Sequence, residues 1–381
     1  METKTRFEIM DKVFIHQANI ITPLGFSVQE NFDALLRETT GISLTKLPEP
    51  IGTIPAGKID DRLFQNFFSE LNLNFSGSRI EQLMIAALEP IVNKQSVTTD
   101  AMLIISTTKG NVQALEQGNI KDAFLYQTAE NIRKYFGFSK KPIVISNACV
   151  SGVMALSVAK RMIQMKAASK VFIVAADEIT PFVVSGFQSF QAMSDEVCKP
   201  YDENRKGINL GEAAAAVFIS SESKSEGIEI AGEANINDAN HISGPSRTGE
   251  GLYLSIQKAM EEAKITSDKI DFVSAHGTAT LYNDEMESIA FQRSGLDQTP
   301  INSFKGYYGH TLGAAGLLET IISMECMKQN TYLPSFGFEI LGVSQPMNII
   351  KKIKNQPMNT VLKTASGFGG SNSAMILRKQ I

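Results

Sequence analysis

The chain repeats one unit along its length: a short apolar, β-branched run, a turn of small residues, then apolar side chains at helical spacing. In the first half, residues 13–21, 101–106, 143–146, 171–175 and 214–220 read as buried strands. Helical patterns fall at 28–37, 79–93, 123–136 and 150–166. The second half restates the theme with strands at 228–233, 270–274, 360–365 and 373–377 and helices at 252–263 and 317–327. Such alternation predicts α/β layers with helices packed on sheets, in two duplicated halves. The expected seam is the polar stretch 221–227, dividing the chain into residues 1–225 and 226–381.

Composition narrows the function classes. A hydrophobic content of 43% over 381 residues is ample for a large core. The net charge of −4 gives no balance suited to polyanions, so nucleic acid is not expected as the main partner. Three cysteines without a CxxC pair argue against a disulfide framework or a zinc site and fit a reducing, cytoplasmic setting. Residues 1–8 lack a signal-peptide pattern. The longest apolar run, 213–219, falls well short of the ~20 residues of a membrane span.

The chemistry concentrates on Cys149, in Asn147-Ala148-Cys149-Val150-Ser151-Gly152, between a strand pattern and a helix pattern. A thiol there lies in the field of the helix amides, which favours thiolate. A lone cysteine in an apolar stretch is more often inert packing. Two of the four histidines shift that balance. His276 sits in Ser274-Ala275-His276-Gly277-Thr278-Ala279-Thr280, after a strand. His310 sits in Gly309-His310-Thr311-Leu312-Gly313-Ala314-Ala315-Gly316, before a helix. Both positions face a cleft, and with Cys149 they suggest a Cys-His-His site. Cys198, Cys326 and His16 read as structural, and His241 as a loop residue without a catalytic part.

In this combination the chain resembles the β-ketoacyl-acyl-carrier-protein synthases, the elongating FabF/FabB-like ketosynthases of the thiolase-like superfamily. The matching motifs are Asn147 to Gly152, then His276-Gly277-Thr278-Ala279-Thr280 with Asp284 and Glu287, then Lys305 to His310 with Glu319, and Gly367-Phe368-Gly369-Gly370. A further segment matches at Pro200-Tyr201-Asp202, Arg205, Gly207 and Gly211-Glu212. The motifs occur in the family order and span nearly the whole chain. Two histidines, where related initiating enzymes have a His and an Asn, mark the elongating class.

The resemblance implies a duplicated α/β/α/β/α layered fold and a decarboxylative Claisen condensation. An acyl group would pass to Cys149, and malonyl-carrier protein would then lose carbon dioxide, with His276 and His310 donating to the enolate oxygen from Nε2. The amides of Cys149 and Phe368 would form the oxyanion hole, and Phe368 would gate the acyl and malonyl pockets. Lys305, Glu287, Glu319 and Asp284 would form a supporting charged network, and Thr278 and Thr280 would bind the phosphopantetheine arm. No metal or organic cofactor is implied, since the substrates ride on the phosphopantetheine of acyl carrier protein. A homodimer is implied, and a heterodimer with a chain-length-factor subunit fits the motifs equally. The chain departs from the family by a shortening between Lys109 and Ala129 and by an atypical stretch at 45–69. In the family these regions border the dimer interface and the acyl pocket, so the resemblance points to a polyketide or polyene pathway over housekeeping fatty acid synthesis. Two other readings are a non-condensing partner subunit of chain-length-factor type and a thioester hydrolase; the intact Cys149, His276 and His310 disfavour both.

Overall fold

A computed structural model describes residues 11–223, 226–239 and 244–380. The expectations for residues 1–8 and His241, and part of the 221–227 stretch, lie outside the described residues.

Two sheets with one strand plan make up the frame. In the first unit the strands are, in chain order, Phe14–Ile21, Met102–Ser106, Ile143–Ile145, Lys170–Asp177 and Ala213–Ser220. Across the sheet they run first, fifth, fourth, second, third. The second unit uses Ile228–Asn237, Phe272–Ser274, Pro300–Asn302, Thr360–Ser366 and Ser371–Lys379 in the same spatial order, with Asn348–Ile349 added at its edge. Directions match too: first, fifth and fourth are antiparallel neighbours, while fourth, second and third run parallel. The sheets join at a two-residue antiparallel contact, Phe14 with Glu229 and Ile15 with Ile228. The duplication read from the sequence is therefore present in the topology.

Layering follows from the two-residue period of strands. On Met102–Ser106, Met102 and Ile104 face the central core, while Leu103 and Ile105 face an outer core closed by the helix Arg79–Val92. On Thr360–Ser366, Val361 and Ala365 face the centre, and Leu362 faces a third core under Glu250–Ala263. Two helices fill the middle layer, Ser151–Gln164 and Ala315–Gln329, one from each unit. The second is buried nearly all round, as a helix between two sheets must be. Their N-terminal turns approach backbone to backbone: a Cβ on Gly152 would lie 2.5 Å from Leu317 N, and one on Gly316 2.7 Å from Val153 N. Glycine is required at both positions. Among the described residues, no helix is long and apolar enough to cross a membrane.

Candidate active site

The two middle helices start side by side, and each is entered through a turn bearing a reactive side chain. Cys149 lies between Ile143–Ile145 and Ser151–Gln164. The turn is tight: Ala148 has φ +44, and the Ser151 hydroxyl donates to Ala148 O and accepts from Asn147 N. His310 precedes Ala315–Gln329, and its backbone is pinned by Asn209 and Gly211. That clamp explains the small residue at 211, where a Cβ would lie 2.2 Å from Tyr308 O. His276 follows the strand Phe272–Ser274.

These three side chains meet. His310 Nε2 lies 2.9 Å from Cys149 Sγ, and the His276 and His310 rings are 5.3 Å apart, nearly perpendicular. Sγ and one nitrogen of each ring fall within 4.8 Å of one another. The Nδ1 atoms of both rings face donors. Leu312 N–H donates to His310 Nδ1 at 3.3 Å, and the Lys305 ammonium sits 3.4 Å from His276 Nδ1. Neither a backbone N–H nor an ammonium offers an acceptor, so both Nδ1 atoms act as acceptors and each ring holds its proton on Nε2. Burial, with help from Lys305 and Lys363, holds His310 well below its usual range, so it is neutral at physiological pH. A metal ion would need the Nε2 lone pairs that this wiring protonates.

The thiol corrects one expectation. Burial pushes Cys149 up to about 11 rather than down; Lys305 and Lys109 pull it back, and Asp177 and Glu319 oppose them. Enclosure between the sheets strips water from sulfur, and that outweighs the attraction of the neighbouring cations. The resting residue is a thiol whose sulfur accepts a hydrogen bond from His310.

The charged residues singled out by sequence lie under this floor. Lys305, on the short helix Lys305–Tyr308, is buried, donates to His276 O at 2.6 Å and pairs with Glu319 at 2.7 Å. Glu319 opposes burial with two cations, Lys305 and Lys363, which hold it below the usual carboxylate range. Glu287, on Leu281–Arg293, accepts from the N–H groups of His276 and Gly277 and from the Tyr201 hydroxyl. Burial, then the Asp284 charge, push its carboxyl up to about 7. Asp284 accepts from Tyr201 N and Thr278 N and so braces the turn after His276. The Thr278 and Thr280 hydroxyls are 2.8 Å apart at the wall of the entrance cavity.

Two cavities meet at Cys149. One, of about 400 Å³, contains both histidines, Thr278 and Thr280. The other, of about 620 Å³, runs past Lys109, Phe182 and Leu312. Phe187, Phe190 and Phe368 line both. The Phe368 ring lies 5.3 Å from that of Phe190 and 6.1 Å from that of Phe187, a three-ring partition. Among the described residues, no hydrogen bond engages the amide of Cys149 or of Phe368. A Cβ on Gly367 would lie 3.1 Å from Cys149 N, so the two turns touch because that atom is missing.

Sequence reasoning missed several residues. Lys363 is fully buried and pairs with Glu319 at 2.6 Å. Its only signal was a lysine inside the apolar run 360–365. Asp177, at the end of its strand, accepts from Thr107, Thr108 and Gly313 and ties the loop after Met102–Ser106 to the turn after His310. Phe187 and Phe190 carried no motif. Cys198 and Cys326 are buried free thiols, and His16 packs against Phe218 with Ser220 as partner.

Comparison with known proteins agrees with this architecture. Residues 105–225 match the model for the β-ketoacyl synthase N-terminal domain, and residues 228–339 that for the C-terminal domain. The chain is 25% identical to 3-oxoacyl-[acyl-carrier-protein] synthase 2 of Vibrio cholerae over 97% of this chain and 99% of that protein. It is 31% identical to the ketoacyl synthase alpha subunit of the tetracenomycin polyketide synthase of Streptomyces glaucescens, over 62% of this chain and 59% of that one. Its fold matches a chain of the complex between the ketosynthase ApeO and its chain length factor ApeC from Xenorhabdus doucetiae, with TM-score 0.86, 23% identity and full coverage of both chains. With the two halves of the family model covering most of its length in order, the chain belongs to the β-ketoacyl synthase family of acyltransferases.

Proposed function

We propose that the protein is a 3-oxoacyl-[acyl-carrier-protein] synthase that joins a Cys149-bound acyl group to malonyl-carrier protein in fatty acid or polyketide synthesis. The observation that carries this reading is the site itself: a thiol with two imidazoles around it, both wired to present Nε2–H. Two Nε2–H donors aimed at one spot suit an oxyanion or enolate better than they suit a general base.

The first step is a thioester exchange. The Cys149 thiolate, a minor form stabilised by His310 Nε2–H and the helix amides, attacks the acyl carbonyl. The tetrahedral oxygen is received by the amides of Cys149 and Phe368. Collapse forms the Cys149 thioester and expels the phosphopantetheine thiolate, which takes up the proton Cys149 gave up. Malonyl-carrier protein then enters through the cavity holding Thr278 and Thr280. Its C–C bond to the carboxylate breaks, carbon dioxide leaves, and the electron pair rests on the thioester oxygen between His276 and His310. The enolate carbon attacks the Cys149 carbonyl, the C–S bond breaks to release the Cys149 thiolate, which takes a proton from water to restore the thiol, and the 3-oxoacyl product departs. No metal or organic cofactor enters these steps.

The partners are an acyl carrier protein and a second subunit, either another copy or a chain-length-factor-like chain; a relative of similar fold was solved in such a complex. Three buried free thiols fit a cytoplasmic setting. The test is to incubate the protein with acyl- and malonyl-carrier protein and follow both proteins by mass spectrometry. A 3-oxoacyl product that vanishes in Cys149→Ala supports the reading. No acyl adduct on Cys149 in any carrier mixture, with or without a partner subunit, sinks it.

A further inference from the structure

Glu319 is a carboxylate shared by two buried lysines. Its Oε1 lies 2.7 Å from Lys305 Nζ and its Oε2 2.6 Å from Lys363 Nζ. Lys363 is completely buried on the strand Thr360–Ser366. There it also donates to the carbonyl oxygens of Ser274 at 3.1 Å, Ala275 at 3.4 Å and Thr364 at 2.8 Å. Ser274 and Ala275 immediately precede His276, and Lys363 pairs in register with Ser274. One ammonium thus holds both the carboxylate behind Lys305 and the backbone that delivers His276.

The charge count is uneven. Lys305 and Lys363 share one tightly paired anion, so with Glu287 only partly ionised beside them the cluster is biased toward positive charge. Other titratable groups lie beside it. Glu287, on Leu281–Arg293, contacts Thr364 at 3.5 Å and is pushed up to about 7, so it is a partial counter-charge. His276 and His310 lie on the cleft side, with Cys149 beyond. Burying an extra lysine is expensive without a use for its charge. The step proposed above that creates negative charge beside His276 is loss of carbon dioxide; acyl transfer creates it beside the amides of Cys149 and Phe368.

We propose that Lys363 is a positioning residue for the decarboxylation step, holding Glu319 and the carbonyls before His276 so that Lys305 stays on His276 Nδ1, and supplying the excess positive charge beneath the enolate. This rests on the condensation reading above. Without Lys363, both Glu319 oxygens are free to draw Lys305 away, and His276 loses the contact that keeps its proton on Nε2.

The test separates the two half-reactions in the assembled enzyme, with carrier-protein substrates. Lys363→Gln keeps a donor for the Ser274 and Ala275 carbonyls but removes the charge. It is expected to acylate Cys149 within about threefold of wild type and to decarboxylate malonyl-carrier protein at least roughly tenfold more slowly. In a Glu319→Gln background, adding Lys363→Gln is expected to slow decarboxylation little further, because the two act through one contact. Equal losses in both half-reactions, wild-type decarboxylation in the folded variant, or full additivity with Glu319→Gln would each overturn the proposal. If Lys363→Gln does not fold, Lys363→Met makes the same comparison, and failure of both to fold assigns Lys363 to stability alone. A wild-type enzyme that never acylates Cys149 would instead defeat the condensation reading.

Discussion

The two units share a strand plan and differ in what they place on it. In the first, the turn after the third strand, Ile143–Ile145, carries Cys149, and the charges near it are of both signs: Lys109 and the anion Asp177, at the end of the fourth strand. In the second, the turn after Pro300–Asn302 leads through Lys305 to His310, and the fourth strand, Thr360–Ser366, carries the cation Lys363. One side supplies a nucleophile that burial keeps protonated. The other supplies imidazole N–H donors above a paired but positively biased floor. A duplicated frame thus serves a reaction with two unlike halves: acyl storage, then stabilisation of a carbanion. The differentiation lies in a few side chains, since the topology is common to both.

The comparison breaks most easily at its extremes. Cys149→Ala should lower condensation by roughly 10⁴-fold or more, read as 3-oxoacyl product by mass spectrometry. Decarboxylation of malonyl-carrier protein should survive in that variant, because its donors belong to the second unit. His276→Ala and His310→Ala should each cost roughly 10²–10³-fold in condensation, the range for losing one oxyanion donor. They should differ in acyl loading. His310 touches Sγ at 2.9 Å and its loss should slow acylation, whereas His276→Ala should load Cys149 almost normally. Identical loading defects would erase the distinction between the two histidines.

Much of this was legible before any coordinates. The strands are β-branched runs between turn residues, and burial of whole runs such as Ala213–Ser220 leaves few alternatives. Cys149, His276 and His310 stood out because small residues frame them, and the fold needs those small residues where backbones nearly touch. Three things were hidden. Lys363 looked like an interruption of an apolar strand, because its partner lies 44 residues earlier, on another element. The direction of the Cys149 shift depends on how completely two distant sheets enclose it, which local sequence does not report. Ala148 and Leu312 take positive φ values, +44 and +53, although neither is a residue type that marks such turns.

Acidity separates the units in a second way. Alkylation of Cys149 by iodoacetamide in the free enzyme should be slow near neutrality and rise toward a midpoint of about 11, since burial favours the thiol. A plateau already reached near pH 8 would mean that His310 Nε2–H and the helix amides outweigh burial. For His310 the folded form resists protonation while the unfolded chain takes up a proton below its ordinary value of 6.5. Its contribution to stability is therefore present above pH 6.5 and lost as pH falls below it. Glu178 and Glu287, both pushed up to about 7 by burial, contribute in the opposite sense. The readout is thus a difference: melting temperature should fall more steeply below pH 6.5 in wild type than in His310→Gln. Parallel curves would place His310 in a wetter setting than the structure gives it.

The finest contrast concerns the two strained turns. Ala148 before the nucleophile and Leu312 after His310 both adopt the left-handed region, which costs a non-glycine residue roughly 1–2 kcal/mol. Replacing either by glycine removes that strain and adds the larger backbone entropy of glycine in the unfolded chain, about 0.5–1 kcal/mol. Leu312 also has a side chain that is only 3% exposed. Leu312→Gly should therefore destabilise by a net ~2 kcal/mol in urea unfolding, as burial loss dominates. Ala148→Gly loses only a half-buried methyl and should stabilise by about 0.5 kcal/mol. Destabilisation by Ala148→Gly would show that its methyl, which lies against Gly367, holds the nucleophile turn to the Phe368 loop. In that event the first unit, like the second, would depend on side-chain contact to keep its reactive group in place.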